Sequence, residues 1–541
     1  METRRRFLKK TAVFLAGSGL LCALPDKRPN IVLIMADDMG YSDIGCFGGE
    51  IHTPNLDRLA QNGIRFTEFY NASRCCPTRA SLMTGLYAHQ TGMGWMTAAD
   101  LGHPGYTGDL SRETPTLAER LGQAGYATFM AGKWHLCSAE NADYKGKPEN
   151  WPLQRGFDKF FGTLAGGGSY FDPQALMWYN SRAHTGSKFY YTDSISDSAR
   201  LFINEHMSEQ SNPFFLYVAY TAPHWPLHAK PADTAKYRGL YEKGWDRIRQ
   251  DRFERMHEQG ILSDPWTLSE RPDNIPDWDS LTDADKDDMD KRMAVYAAQI
   301  DCMDQGIGRI LQTLESHQIM DNTLILFLSD NGASAEHISR RSKDTRLIGT
   351  RVSYESYREP WANCSNTPFR YYKGWEYEGG IATPLIVHWP KQVQNPGYLC
   401  RQVGHVIDIV PTCLEAAGVD LIGTAEELLE LQGKSLIPWV QGREDTELRT
   451  LYWEHCANRA VREGEWKLVS FSHPEPPCSG EWQLFHMKND RTETRNVAAE
   501  HPEVVNKLSR KWQAWAETHN VLPLDGRSWS EKINNPLGNT L

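Results

Sequence analysis

Past its amino-terminal leader, this chain of 541 residues has no apolar run long enough to cross a membrane. A spanning helix needs about 20 consecutive apolar residues, so stable membrane insertion is not expected. Dense cysteine is also missing. The 11 cysteines include no Cys-x-x-Cys pair, so neither a disulfide framework nor a zinc or redox cluster is indicated. One or two bridges after export are compatible with the spacing. Positive charge is in deficit as well, with a net charge of −11. An acidic chain is a poor nonspecific partner for nucleic acid or anionic lipid, and an anionic substrate would need a locally positive pocket. Internal repeats and low-complexity tracts are absent. Aromatic residues are abundant instead, with 18 Trp and 22 Tyr. That content argues against disorder away from the termini, and the length allows more than one domain.

The amino terminus reads as an address. Thr3-Arg-Arg-Arg-Phe-Leu-Lys9 precedes an apolar stretch, Thr11 to Leu24, that is short and broken by Gly17 and Gly19. Residues 1–24 are expected to be an export signal of the twin-arginine type, with an ordinary secretory signal as the alternative. Leu21 before Cys22 speaks against a lipoprotein. The mature protein is therefore expected in the periplasm or outside the cell.

Four apolar runs end in polar clusters, and a fifth candidate strand follows one. Asn30–Met35 leads into Asp37-Asp38. Tyr126–Met130 leads into Lys133-Trp-His135. Phe214–Tyr220 leads into Pro223-His224. Thr323–Leu328 leads into Asp330-Asn331. Pro384–His388 follows Lys373 and Glu378-Gly-Gly380. Uninterrupted apolar runs suit strands buried on both faces. Amphipathic stretches at Thr114–Ala124 and Ala294–Leu314 lie between them. This alternation predicts the α/β class: a large, mostly parallel sheet sandwiched by helices. Ligands gather at the carboxyl ends of such strands, where this chain carries carboxylates, lysines and histidines. Residues 228–290 read as a polar helical or loop insertion, and 336–366 as a long loop of the kind that often serves function. From about Thr450 the pattern changes to short strands at 449–453, 465–471 and 482–485, then a helix at 502–519. The expected division is a catalytic α/β domain over 25–445 and a smaller carboxy-terminal α+β domain with an antiparallel sheet over 446–541.

Asp37, Asp38, Asp330 and Asn331 offer hard oxygen ligands, which suit Ca²⁺ or Mg²⁺ better than zinc. Arg79, Lys133 and Lys373 can offset their charge. The segment Cys75-Cys-Pro-Thr-Arg79 leads into Thr84-Gly85. A helix from about Pro77 would set Cys75 at a helix end whose free N–H groups favour an anion. His135 and His224 can exchange protons near neutral pH.

The Cys-x-Pro-x-Arg segment with Thr-Gly five residues on resembles the signature of type I sulfatases, whose first cysteine becomes formylglycine. The order of Arg28-Pro-Asn-Ile-Val-Leu-Ile-Met-Ala-Asp-Asp38, the Cys75 segment, Gly132-Lys-Trp-His135, Arg155-Gly-Phe-Asp158, Ala222-Pro-His-Trp225, Ser329-Asp-Asn-Gly332 and Glu378-Gly-Gly380 extends that resemblance over nearly the whole mature chain. It is similar to the bacterial arylsulfatases of the alkaline-phosphatase-like superfamily. Thr78, Met83 and Leu86 depart from the commoner Ser, Leu and Arg. The resemblance implies conversion of Cys75 to 3-oxoalanine (formylglycine) by a maturation enzyme. It implies one Ca²⁺, rather than Mg²⁺, held by Asp37, Asp38, Asp330, Asn331 and the modified Cys75. It further implies hydrolysis of sulfate monoesters, of aryl or carbohydrate alcohols. In that scheme Arg79, Lys133 and Lys373 face the sulfuryl oxygens, His224 is the acid for the leaving group, and His135 deprotonates the second hydroxyl. The alternatives are a formylglycine-dependent phosphonate or phosphate ester hydrolase and a non-catalytic protein that binds sulfated glycans.

Overall fold

A computed structural model describes residues 28–262, 265–341, 344–419, 431–443, 447–472 and 480–538. The leader expected at 1–24 lies outside the described residues. The large sheet contains β1 (Asn30–Asp37), β2 (Ile64–Tyr70), β3 (Ala127–Lys133), β4 (Lys159–Thr163), β5 (Leu176–Trp178), β6 (Ser181–Arg182), β7 (Phe214–Pro223), β8 (Thr323–Ser329), β9 (Ala382–His388), β10 (Tyr398–Cys400) and β11 (Gly404–His405). Its order is β10-β2-β9-β8-β1-β7-β3-β4-β5-β6, with β11 also on β2. The central strands β8, β1, β7, β3 and β4 are parallel to their neighbours in this run. β9 runs against both β8 and β2.

Successive strand residues point to opposite faces, and β1 shows what each face meets. Val32, Ile34 and Ala36 pack with Ile195 and Phe202 of the helix Tyr191–Glu209 and with Ile300 and Ile307 of the helix Asp283–Ser316. Ile31, Leu33 and Met35 pack on the other side with Leu82, Leu117 and Leu121. Burial on both faces is why β1, β7 and β8 read as unbroken apolar runs. Among the described residues no helix is long and apolar enough to cross a membrane. The nine described cysteines are all free thiols.

Several elements differ from the sequence expectation. The helix after the cysteine motif spans Cys75–Thr84, two residues earlier than Pro77 suggests. Pro77 fits within the first turn, where no N–H has an intrahelical partner. The stretch at Thr114–Ala124 is a helix only over Leu117–Gln123, because Thr116 caps it by accepting from the Glu119 N–H. The long helix covers Asp283–Ser316, capped by Thr282, and exceeds the expected 294–314. The segment 336–366 is not loop throughout, since it ends in the helix Arg358–Ser365.

A separate four-stranded antiparallel sheet is built from β12 (Thr450–His455), β13 (Asn458–Glu463), β14 (Trp466–Ser470) and β15 (Trp482–His486). The helix Pro502–Thr518 lies on it, and its Trp512 indole donates to the Trp453 carbonyl at 3.0 Å. This sheet is tied to the segment before β9 through buried charge. Glu378 accepts from Lys467 at 2.8 Å, from Arg491 at 2.8 Å and from the Tyr70 hydroxyl at 2.9 Å. Glu493 takes the Glu378 N–H at 2.7 Å and lies 2.8 Å from Lys467. All of these groups are buried. Removing one partner of such a network leaves a charge without compensation. Lys467→Met is therefore expected to destabilise the fold by about 3–5 kcal/mol, read as a lower urea midpoint. An unchanged midpoint would refute this account of the interface.

Candidate active site

Register brings the polar clusters to one edge of the large sheet. Met35 lies beside Leu328 and Ala219, and Ala219 beside Gly132, so β1, β3, β7 and β8 end together. β9 is antiparallel, so its amino end arrives at that same edge, with Ala382 beside Tyr70 at the end of β2. Each strand end then delivers its charged group. Gly132 precedes Lys133 with φ +121, and a Cβ there would collide with the Ala219 carbonyl. Only glycine lets β3 approach β7 so closely at this point.

Asp37 ends β1, and Asp38 turns the chain away with φ 64. A left-handed conformation in a non-glycine residue is costly and clusters at functional sites. The Asp38 N–H donates to Asp330 Oδ1 at 3.2 Å. Lys133 Nζ donates to Asp37 Oδ2 at 2.6 Å. Arg79 donates to Asp330 Oδ2 from Nε at 3.1 Å and from NH2 at 2.7 Å, and lies 3.7 Å from Asp37. Lys373 Nζ lies 2.8 and 2.9 Å from the two oxygens of Asp38. Asn331 donates its amide to Asp38 Oδ1 at 2.7 Å. Every one of these side chains is buried.

Cys75 opens the helix Cys75–Thr84 beneath this cluster. The preceding turn is fixed from three sides. The Ala72 N–H donates to Thr78 Oγ1 at 2.9 Å, the Ser73 hydroxyl to Glu376 at 3.0 Å, and the Gly374 N–H to the Ser73 carbonyl at 2.8 Å. Lys373 and Cys75 are therefore held by one knot of backbone. Cys76 Sγ lies 3.3 Å from His135 Nε2. His224 Nε2 lies 3.5 Å from Asp38 Oδ2, and its Nδ1 lies 2.6 Å from the Trp225 carbonyl. A carbonyl can only accept, so Nδ1 carries a proton. Gly166 and Gly167 pass over the two imidazoles, where a Cβ would press on each ring.

The electrostatics follow from burial. A hydrogen bond from Cys76, with Lys133 and His135 beside it, holds the Cys75 thiol well below its ordinary range. Burial pushes Cys76 well above it. Burial, then the neighbouring Asp37, raises Asp330 to about 7. Burial also lowers His135 and His224 to about 4, so both rings are neutral at pH 7 without a ligand.

The structure brings together all the residues singled out in the sequence: Asp37, Asp38, Cys75, Arg79, Lys133, His135, His224, Asp330, Asn331 and Lys373. It adds others that sequence did not mark. Glu336 accepts from Arg74 at 3.0 Å and from the Trp225 indole at 2.7 Å, and lies 3.6 Å from Lys373. Lys373 and Arg74 overcome its burial and hold its carboxyl below the usual range. Its only signal was a place in the long loop. Cys76 joins Cys75 and His135 in a soft trio whose ligand atoms lie within 4.8 Å. The trio lacks the fourth protein ligand of a structural zinc site.

A divalent cation fits the oxygen cluster better. Asp37, Asp38 and His224 place ligand atoms within 4.8 Å of one another. Asp37 Oδ1 and Asn331 Oδ1 are buried and have no hydrogen-bond partner. Buried polar atoms are rarely left so, and both are hard oxygens of the kind Ca²⁺ takes. Arg79, Lys133 and Lys373 already match the charge of Asp37, Asp38 and Asp330. An added divalent ion leaves surplus positive charge, which an anionic ester would neutralise.

Comparison with known proteins agrees with this geometry. The family model described as Sulfatase matches residues 29–419, and that of the N-sulphoglucosamine sulphohydrolase C-terminal region matches 369–518. An uncharacterized sulfatase of Schizosaccharomyces pombe is 33% identical, over 91% of this chain and 94% of its own. The arylsulfatase of Klebsiella aerogenes is 34% identical, over 76% of this chain and 91% of its own. The crystal structure of Ps i-CgsB superposes with a TM-score of 0.68 at 27% identity, covering 94% of this chain and 97% of that one. The chain belongs to the sulfatase family, with the alkaline-phosphatase-like fold, and is a sulfuric ester hydrolase.

Proposed function

We propose that this protein hydrolyses sulfate monoesters of aryl or carbohydrate alcohols, with Cys75 matured to formylglycine and a Ca²⁺ ion held by Asp37, Asp38, Asp330 and Asn331. The observation that carries the reading is the seat of Cys75. It opens a buried helix whose Arg79 joins carboxylates and cations from four other segments, Asp37-Asp38, Lys133, Asp330 and Lys373. When present, the hydrated aldehyde would supply a hydroxyl nucleophile and the cation a Lewis acid that no protein side chain offers.

The chain's own residues supply the remainder. Arg79 and Lys133 are held against Asp37 and Asp330, and Lys373 against Asp38. Their charges are fixed before substrate arrives and need no reorganisation as sulfuryl oxygens gain charge. The free N–H groups of the first turn at Cys75 favour the same anion. His224 keeps Nδ1 on the Trp225 carbonyl, which points Nε2 into the site. The ring is neutral when empty, and an anionic ester oxygen beside Nε2 would favour its protonation. It is then the acid for the leaving alcohol, seconded by Lys373. His135, with Nε2 toward the Cys75–Cys76 pair, moves the proton at position 75. General acid–base help of this kind is worth about 10²–10⁴-fold. The reading also includes export to the periplasm or exterior through the basic leader.

Cys75→Ala is expected to abolish sulfate release from nitrophenyl sulfate while the thermal midpoint stays near that of the parent. Measurable turnover in that variant, or faster hydrolysis of a nitrophenyl phosphonate by the parent, would overturn the assignment. Chelation should lower the midpoint of the parent, and Ca²⁺ should restore it, because a ligand bound only to the native state stabilises it by about 2.7 kcal/mol at a hundredfold excess over Kd. In Asp37→Asn the Ca²⁺ response should shrink or vanish; a response equal to the parent's would remove Asp37 from the ligand set. His224→Ala should slow esters of alkyl alcohols at least tenfold more than those of activated phenols, within the range of general acid catalysis. Equal losses across leaving groups would exclude His224 as the acid.

A further inference from the structure

The rim beside His224 carries charge that the reaction at Cys75 does not use. Trp225 follows His224 directly, and the two rings lie 4.4 Å apart. Tyr354 stands 6.0 Å from the same indole. The Arg340 guanidinium lies over both rings, 5.4 Å from the Trp225 centroid and 5.7 Å from that of Tyr354. Arg341 lies over Tyr354 at 5.3 Å. The backbone at Ser339 and Arg340 is tied down. The Arg340 N–H donates to the Tyr354 carbonyl at 3.1 Å, and the Ser339 hydroxyl to Glu355 at 2.6 Å. Glu355 is itself anchored by Arg292 at 2.9 Å.

Both arginines are exposed. Among the described residues neither has a carboxylate at ion-pair distance, although the chain carries more acidic than basic residues. Arg341 spends one N–H on the Arg351 carbonyl at 3.1 Å, and among the described residues the Arg340 guanidinium has no hydrogen-bond partner. The nearby carboxylate, Glu336, is committed to Arg74, Trp225 and Lys373. An exposed arginine is ordinarily a solvated charge that samples many rotamers. Here aromatic faces restrain the guanidinium planes and leave their planar N–H forks open. Such forks match carboxylate and sulfate oxygens in pairs.

We propose that Arg340 and Arg341, held on Trp225 and Tyr354, form a subsite for a second anionic group, sulfate or carboxylate, on the alcohol half of the ester. This rests on the sulfatase reading of the site. In that reading the leaving alcohol departs past His224, which puts Trp225 and the two guanidiniums next along its path. The substrate class is then an alcohol carrying at least two negative groups, in keeping with a local excess of positive charge on an acidic protein.

The test compares the parent with R340Q/R341Q on three esters: nitrophenyl sulfate, a disulfated hexosamine, and a monosulfated disaccharide bearing a uronate. The double variant should hydrolyse nitrophenyl sulfate as the parent does. It should lose at least about tenfold in kcat/KM on one or both dianionic sugars, as expected for a charged hydrogen bond. Which sugar is affected identifies sulfate or carboxylate as the group read. The loss should shrink at high salt, since exposed charges are screened. Equal losses on all three esters, or none on either sugar, would overturn the subsite while leaving sulfate hydrolysis intact. Calorimetric binding of the same sugars to Cys75→Ala, with and without R340Q/R341Q, decides the subsite without turnover. Weaker binding in the triple variant supports it and equal binding refutes it. Failure of the parent on every sulfate ester would instead count against the hydrolase reading alone.

Discussion

Asp37, Asp38 and Asp330 leave water together at the ends of two neighbouring strands. A buried carboxylate without a partner costs several kcal/mol, so this grouping constrains everything around it. Lys133 comes from β3, Arg79 from the helix after β2, and Lys373 from the segment before β9. Each cation requires its strand to end at the same edge. The parallel order β8-β1-β7-β3 and the reversed β9 satisfy that demand. The backbone is bent to suit it, with Asp38 and His135 both in the left-handed region. The same compensation is incomplete by itself. Burial and Asp37 still raise Asp330, and two oxygens stay without donors. A site so arranged is favourable for a cation first and an anion second.

The carboxy-terminal sheet belongs to this scheme rather than hanging beside it. Glu378 accepts from Lys467 and Arg491, and Glu378-Gly-Gly380 leads directly into β9. Gly332, next to Asn331, donates its N–H to the Gly380 carbonyl at 3.0 Å. The Trp453 indole donates to the Asn71 carbonyl at 2.8 Å, in the turn before Cys75. The small sheet and its flanking residues thus reach the site on two paths, through Gly380 and through Asn71.

Much of this was legible because it lies in consecutive sequence. β1, β7 and β8 are buried on both faces, so each reads as an apolar run, and the residues that follow each run are the site residues. What was missed lacked that contrast. Ile64–Tyr70 alternates with Arg65, Thr67 and Glu68 because its neighbours β9, β10 and β11 place it near one side of the sheet. Asn458–Glu463 looks like a polar turn because Arg462 and Glu463 are buried in ion pairs with Glu68, Lys507 and Lys511. Arg74 and Glu336 were not marked either, and Cys76 and Trp225 stood only inside longer motifs. Their significance rests on partners that are distant in sequence, such as Glu336 on Trp225. No periodicity encodes a contact of that kind.

The division of labour between strand ends and loops bears on how such a site could change its substrate. Asp37, Lys133, Asp330 and Cys75 sit on or beside strands whose movement would disturb the core. Glu336 and Arg340 lie outside strands, in the segment before the helix Arg358–Ser365. Changes at Arg340 or Arg341 touch Trp225 and Tyr354. Loops held by a rigid scaffold are where specificity is commonly placed. Glu336 is the exception that joins the two parts, since it lies near Lys373 as well as under Trp225. Its charge matters to both sides. Neutralising it would leave Arg74 and Lys373 with one carboxylate fewer and so alter the field at Cys75, while also freeing the indole that carries Arg340. The reaction and its selectivity are therefore separable at Arg340 and Arg341 but coupled at Glu336.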